Sequence, residues 1–178
     1  MNKTSEISTT NGTTEKNWFE GNTAKLGGAL FACESAIVTA TTATFTANYA
    51  TESGGACYFA FGSGKATLTT STKFETNGKS EGRKTTNGGA IYVERGNVEI
   101  LDSCSLTGNE AINGGGVYVA TGGKMTISQS SLSKNLAIVG GAIVSYGVLE
   151  VKESTMSLNS AESYGGALAV FGGTTKVN

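Results

Sequence analysis

The sequence contains no histidine and no proline, and its charges are few and balanced. Histidine is the commonest general base and metal ligand, so its absence argues against zinc sites and serine–histidine triads. Thirteen basic and 14 acidic residues leave a net charge of -1 over 178 residues. No broad attraction to nucleic acid or to an anionic membrane is therefore expected. We predict no catalytic centre, no metal, no cofactor and no nucleic-acid partner.

Cysteine is scarce: the three residues Cys33, Cys57 and Cys104 form no Cys-x-x-Cys pair. An odd number leaves at least one thiol unpaired within the chain. Cys33 and Cys57 belong to neighbouring units of the repeat described below, so a disulfide between them stays open. We favour the other interpretation, in which all three are small buried apolar side chains.

Long apolar stretches are also missing. No segment approaches the ~20 apolar residues of a membrane-crossing helix, so we predict no integral membrane segment. The N-terminal residues lack the apolar core of a secretion signal. Both a cytoplasmic location and the loss of a targeting segment stay open on this ground.

Glycine, by contrast, is abundant, with 26 residues in the chain, about twice the usual share. Glycine pairs followed by a small residue and an aliphatic stretch recur, mostly about 26 residues apart. The pairs begin at Gly27, Gly54, Gly88, Gly114, Gly140 and Gly165. Such regular self-similarity predicts a repeat architecture.

Two further signals belong to the same unit. Before each glycine pair, an apolar residue is followed three positions later by asparagine. The apolar residues are Phe19, Phe45, Phe74, Leu106, Leu132 and Met156, and the asparagines are Asn22, Asn48, Asn77, Asn109, Asn135 and Asn159. After each pair, apolar and polar residues alternate, as in Val98 and Ile100, which is typical of a strand.

Three short strands per unit, each pairing with its copy in the next unit, predict an all-β, right-handed parallel β-helix of about six coils. A leucine-rich repeat has a similar period, but its Leu-x-x-Leu-x-Leu frame does not occur here. The helix is predicted over residues 18–178, and we expect it to be incomplete at its C-terminal end. Residues 1–17 are polar and predict a tail or cap.

Stacked units place equivalent residues in columns, and strand alternation assigns each column to one face. Two columns of the Gly-Gly strand are predicted to point inward: Leu30, Cys57, Ile91, Val117, Ile143 and Leu168, and then Ala32, Phe59, Val93, Val119, Ser145 and Val170. Between them lies an outward aromatic column of Phe31, Tyr58, Tyr92 and Tyr118. It is either a binding surface for protein or sugar rings, or a lateral ladder that stabilises the sheet.

The asparagine column is predicted to be a structural ladder at a bend, each amide bonding the backbone and the amide of the next coil. One unit is about six residues longer than the others between Asn77 and Gly88, which predicts a loop on one face. Lys79, Arg83 and Lys84 make this loop the most basic part of the chain. It is either a binding loop or a solvated one.

The segments FEGN, FTAN and FETN, together with GGAL and GGAI, resemble the FxxN and GGA[ILV] repeats of the chlamydial polymorphic membrane protein family. The resemblance covers residues 19–178. It implies a β-helical passenger exported by an autotransporter, located outside the cell or at its surface, and acting in adhesion. Association with the outer membrane would use a region outside this sequence.

The favoured function is therefore that of a structural or adhesive surface protein without catalytic activity. Its expected partner is a host or neighbouring surface protein or glycan, or a second copy bound through the open end of the helix. The alternative is a polysaccharide lyase or hydrolase, with Glu99 and Glu150 as the best carboxylate pair, roughly 10 Å apart over two coil steps. Ice binding through the threonine-rich segments 38–48 and 66–77 ranks last, because Glu99 and Glu150 interrupt the threonine array.

Overall fold

A computed structural model describes residues 4–7 and 17–178. Within these residues the chain is all-β, without helix, and forms a parallel β-solenoid of about six coils, which confirms the predicted fold class. The strands are Thr4–Ile7 (β1), Trp18–Glu20 (β2), Thr23–Leu26 (β3), Leu30–Glu34 (β4), Ile37–Thr41 (β5), Thr44–Thr46 (β6), Tyr49–Ser53 (β7), Cys57–Thr69 (β8), Lys73–Glu75 (β9), Lys79–Ser80 (β10), Arg83–Asn87 (β11), Ile91–Ile100 (β12), Ser105–Thr107 (β13), Ala111–Asn113 (β14), Val117–Ser128 (β15), Ser131–Ser133 (β16), Leu136–Val139 (β17), Ile143–Ser145 (β18), Val148–Lys152 (β19), Thr155–Ser157 (β20), Ser160–Tyr164 (β21), Leu168–Val170 (β22) and Thr174–Val177 (β23).

Three sheets form the walls of the solenoid. Sheet A contains the Gly-Gly strands and the alternating strands that follow them: β1, β4, β5, β8, β12, β15, β18, β19, β22 and β23. Sheet B contains the strands of the Phe-x-x-Asn motif: β2, β6, β9, β13, β16 and β20. Sheet C contains the strands between asparagine and glycine pair, β3, β7, β11, β14, β17 and β21, with β10 paired to β11.

Sheet C was not expected from the sequence, and it changes the strand count of a coil. Each coil contributes four strand segments to three sheets, because the Gly-Gly strand and the alternating strand belong to one sheet. In β8, β12 and β15 these two segments form one continuous strand. Sheet C was missed because its segments are short and its inward column is mostly alanine, for example Ala50 and Ala111.

The core is built from the columns that the alternation assigned to the interior. Ile91 pairs with Cys57 below and Val117 above, and all three are fully buried. In sheet B, Phe45 lies between Phe19 and Phe74 with ring centroids 4.6 and 4.8 Å apart. Fully burying one such side chain contributes about 1.5–3 kcal/mol, so the core gains strength coil by coil. Val170 is the exception to the predicted columns, being exposed in the last coil.

The two glycines of each pair are required for different reasons, as Gly88 and Gly89 illustrate. Gly88 has a φ of 66°, a left-handed conformation that side chains rarely adopt. At Gly89 the backbone of the next coil approaches so closely that a Cβ atom would collide with the carbonyl oxygen of Gly115. The pair is therefore required by the bend and by the close stacking of coils.

The long unit forms a hairpin and not the predicted loop. β10 pairs antiparallel with β11, with Lys79 opposite Lys84 and Ser80 opposite Arg83. The two residues between the strands, Glu81 and Gly82, both have positive φ, as a type I′ hairpin turn requires. The extra residues thus satisfy their own backbone hydrogen bonds.

At the N-terminus, β1 pairs in parallel with β5, with Thr4 opposite Ile37. The remainder of the predicted tail or cap, residues 1–3 and 8–16, lies outside the described residues. The three cysteines are free; Cys57 and Cys104 are buried and Cys33 is half-buried. Cys33 lies opposite Ala60, not Cys57.

Candidate functional surface: the outer aromatic ladder

The outward aromatic column is a continuous stack that is longer than the sequence indicated. Ring centroids of Phe31, Tyr58, Tyr92 and Tyr118 follow one another at 5.4, 4.9 and 5.2 Å. Two further rings extend it: Tyr146 lies 5.8 Å from Tyr118, and Phe171 lies 5.3 Å from Tyr146. These six residues are called the outer aromatic ladder below. It contributes one ring from every coil.

Tyr146 and Phe171 were missed because the ladder changes column. The strand position that pairs with Tyr118 is Val144, and Tyr146 comes two residues later. Since side chains alternate with a period of two, a shift of two residues keeps the ring on the same face. Tyr146 and Phe171 each lie one residue beyond the end of a Gly-Gly strand, β18 and β22. Alternation continued past these strand ends, and not strict repeat position, was the signal that would have found both residues.

Three of the rings are accompanied by a small or aliphatic neighbour in the adjacent outward column. Ala60 follows Tyr58 by two residues, and Val144 and Ala169 precede Tyr146 and Phe171 by two. Ala60, Val144 and Ala169 face outward by alternation yet are buried. We attribute this burial to the adjacent rings, which makes the ladder an external apolar spine.

The rings are not equally accessible. Tyr58 is 8% exposed, Tyr146 is 37% exposed, and Phe31 and Phe171 are each 50% exposed. Interior rings are stacked on both faces, with interplanar angles of 14° to 32° from Tyr92 onward. A partner therefore reaches the edges and hydroxyl groups of these rings and not their faces.

Tyr58 is the ring with a fixed polar partner. Its hydroxyl donates a 2.5 Å hydrogen bond to a carboxylate oxygen of Glu94. Burial, and then this hydrogen bond, raise the pKa of Tyr58 well above its ordinary value. Burial is also the main cause that raises the pKa of Tyr92 and brings that of Tyr118 to about 12. All three phenols are therefore protonated at neutral pH.

An ion-pair cluster adjoins the Tyr58 end of the ladder. The guanidinium group of Arg95 lies 2.9 Å from the Glu34 carboxylate, two coils away, and 3.4 Å from that of Glu94. The three side chains are substantially exposed, so the cluster adds little stability. The cluster instead fixes the position of Glu94, because it holds this side chain beside Tyr58.

The asparagine column forms the ladder that its pattern indicated. Asn109 shows the arrangement: its side-chain amide donates to the amide oxygen of Asn135 at 3.0 Å and to the carbonyl of Phe74 at 3.0 Å. Its own amide oxygen accepts from the backbone and side-chain nitrogens of Asn77. The same pattern joins Asn22, Asn48, Asn77, Asn109, Asn135 and Asn159. These amides are engaged in the fold.

The basic hairpin is largely neutralised by one acid. Lys79 lies 3.1 Å and Lys84 3.8 Å from the two carboxylate oxygens of Glu110. Arg83 is exposed at the turn and has no ion-pair partner within the described residues. The hairpin therefore presents one unpaired cation, which is less than its composition suggested.

The carboxylates considered for hydrolysis lie in one outward column but are kept apart. Glu99 pairs with Thr126, and Thr126 with Glu150, so one residue separates them. Glu150 forms a 3.0 Å ion pair with Lys152. In the same column Glu99 follows Thr67 and Thr39, so the threonine array ends after two coils.

Residues 4–7 and 17–178 contain no cluster of three or more cysteine and acidic side chains that could hold a metal ion. They also contain no helix with the length and apolarity needed to cross a membrane. Comparison with protein-family models, with curated proteins and with solved structures gives no match.

Proposed function

We propose that this chain is a structural or adhesive module of an extracellular or cell-surface protein, and that the outer aromatic ladder is the surface it presents to a partner protein or glycan. The observation that carries the proposal is the ladder itself: six aromatic side chains on one outer face, one from each coil. Aromatic side chains are enriched in contact surfaces because they offer large rigid areas with a polar edge.

The edge chemistry of the ladder specifies the kind of contact. The hydroxyl groups of Tyr92, Tyr118 and Tyr146 have no hydrogen-bond partner within the part of the chain that the structure describes. They follow one another at the spacing of the coils, so they form a row of phenols able to donate or accept. Such a row suits a polar partner surface, either hydroxyls of a glycan or backbone groups of a protein.

The repeat motifs support the same proposal. FxxN and GGA[ILV] segments, which resemble those of polymorphic membrane proteins, produce the bends and coil contacts that stack the coils carrying the ladder. A rigid solenoid holds its surface side chains without the entropy cost of ordering loops on binding. We therefore propose an autotransporter-passenger type of module, and self-association through the end coils stays a prediction.

The test is binding to immobilised pectin, chitin, heparin and matrix proteins, measured by surface plasmon resonance. A Tyr118→Ser/Tyr146→Ser variant should lose saturable binding that the unaltered chain shows. Leu158→Ser is the matched control, because Leu158 is 78% exposed but lies outside the ladder. Equal binding by the ladder variant, or no binding to any surface, would overturn the proposal.

The hydrolase alternative is tested on the same polysaccharides. We expect no increase of reducing ends above buffer. Depolymerisation that is lost in Glu99→Gln would replace the adhesive proposal with an enzymatic one.

A further inference from the structure

The outer aromatic ladder concentrates the redox-active phenols of the chain. Four of the six tyrosines belong to it: Tyr58, Tyr92, Tyr118 and Tyr146. Their ring centroids are 4.9, 5.2 and 5.8 Å apart in sequence order, close enough for electron exchange between neighbours. Phe31 and Phe171 end the stack, and phenylalanine is much harder to oxidise than tyrosine. When one of these tyrosines loses an electron, the resulting electron vacancy therefore passes only among the four tyrosines.

One of the four differs from the others in proton chemistry. Oxidation of a phenol to a stable neutral tyrosyl radical releases the hydroxyl proton, which needs an acceptor. Tyr58 donates its hydroxyl hydrogen bond to the Glu94 carboxylate, a base already in place. Tyr92, Tyr118 and Tyr146 have no such acceptor among residues 17–178. Tyr58 is also the most buried ring of the ladder, which shields a radical from solvent.

We propose that the ladder relays one-electron oxidation from its exposed tyrosines to Tyr58, where the radical is held. A one-electron oxidant, such as a peroxyl or inorganic radical, takes one electron from Tyr146 and is itself reduced. Electron transfer from ring to ring moves the vacancy to Tyr58. There the O–H bond breaks, the proton passes to the Glu94 carboxylate, and a neutral tyrosyl radical and a carboxylic acid remain.

The surroundings of Glu94 fit this proton transfer. Arg95 pairs with Glu34 as well as with Glu94, so the guanidinium group keeps an anionic partner after Glu94 is protonated. One electron from a one-electron reductant in solution, such as ascorbate, together with the proton from Glu94, restores the starting state. This activity would be independent of partner binding by the ladder.

The test generates oxidant photochemically with a ruthenium polypyridyl complex and persulfate, followed by freeze-quench electron paramagnetic resonance. The experiment uses a Trp18→Phe/Cys33→Ser background, which removes two other oxidisable and partly exposed side chains. We expect a persistent tyrosyl signal that is lost in Tyr58→Phe and shortened in Glu94→Gln. Tyr164→Phe is the control, because Tyr164 is exposed and lies outside the ladder.

A variant that interrupts the path between the tyrosines distinguishes the relay from direct oxidation of Tyr58. In Tyr92→Phe the stack keeps its shape, but the path from Tyr146 is interrupted, so the Tyr58 signal should be strongly reduced. Thermal melts should show all variants folded. An unchanged signal in Tyr58→Phe, a signal lost only in Tyr164→Phe, or an unaffected yield in Tyr92→Phe would overturn the proposal.

Discussion

Among the described residues, rings from successive coils form one aromatic stack inside the solenoid and one outside, and the two stacks differ in geometry. The inner stack of Phe19, Phe45 and Phe74 has centroid distances of 4.6 and 4.8 Å and interplanar angles of 8° and 4°. The outer aromatic ladder has wider spacings and angles up to 32°, where Tyr118 meets Tyr146. Close packing in the core fixes one geometry for each position, whereas an outer face allows a ring to come from either of two columns.

The largest expected effect contrasts neighbouring residues on the two faces. Ile91→Asp places an unpaired charge in a fully buried column and should cost about 4 kcal/mol or more. Tyr92→Ser removes one ring of the outer ladder and should cost about 1–2 kcal/mol, because only part of the ring is buried. Urea denaturation of both variants measures the difference. Equal midpoints would show that the assignment of faces is wrong.

A smaller effect contrasts two asparagine pairings. Asn109→Ala breaks four hydrogen bonds in a fully buried ladder and removes the side-chain oxygen to which the backbone N–H of Asn77 donates. We expect a cost of about 2–5 kcal/mol. Asn113→Ala removes one half-buried bond, donated at 3.0 Å to the side-chain oxygen of Asn87, and should cost about 0.5–1.5 kcal/mol.

Thermal melts followed by circular dichroism measure the stability of the Asn109→Ala and Asn113→Ala variants. A loss in Asn109→Ala no greater than that in Asn113→Ala would mean that water replaces the inner ladder without cost. The inner amides would then be dispensable.

The same inside–outside contrast explains which features could be predicted from sequence. Core columns such as Ile91 and Val117 followed from period-two alternation, because burial enforces strict register. Tyr146 was not predicted, because the outer face does not require the ring to occupy the same repeat position in every coil. The ion pairs of Lys79 and Lys84 with Glu110 were not predicted either, because they join residues that are distant in sequence. The side-chain contacts of a hairpin cannot be deduced from its composition.

One substitution in a core column is expected to stabilise the protein. Ser145 is fully buried in the column that holds Val119 and Val170, and its hydroxyl has no hydrogen-bond partner among the described residues. Removing an unpaired buried hydroxyl should raise the free energy of unfolding, by about 1 kcal/mol in Ser145→Val.

Ser145→Ala is the matched control, because it removes the hydroxyl without adding volume. Denaturant titration of both variants separates the two contributions. Lower stability in Ser145→Ala would show that the hydroxyl is hydrogen-bonded after all, for instance to a trapped water molecule.

The last prediction concerns the outer ladder at alkaline pH. Burial, with smaller contributions from the neighbouring Tyr146 and Tyr92, raises the pKa of Tyr118 from 10 to about 12. The folded state therefore holds the phenolic proton more tightly than the unfolded state does. The resulting stability is fully present below pH 10 and is lost as the pH rises from 10 through 12. Tyr118→Phe has no proton to lose at this position, so its unfolding midpoint should fall less over that interval, whereas Tyr164→Phe, outside the ladder, should behave like the unaltered chain. A decline in Tyr118→Phe as steep as that of the unaltered chain would mean that Tyr118 titrates alike in the folded and unfolded states, and that the outer ladder shields its phenols less than the rings of a packed core would.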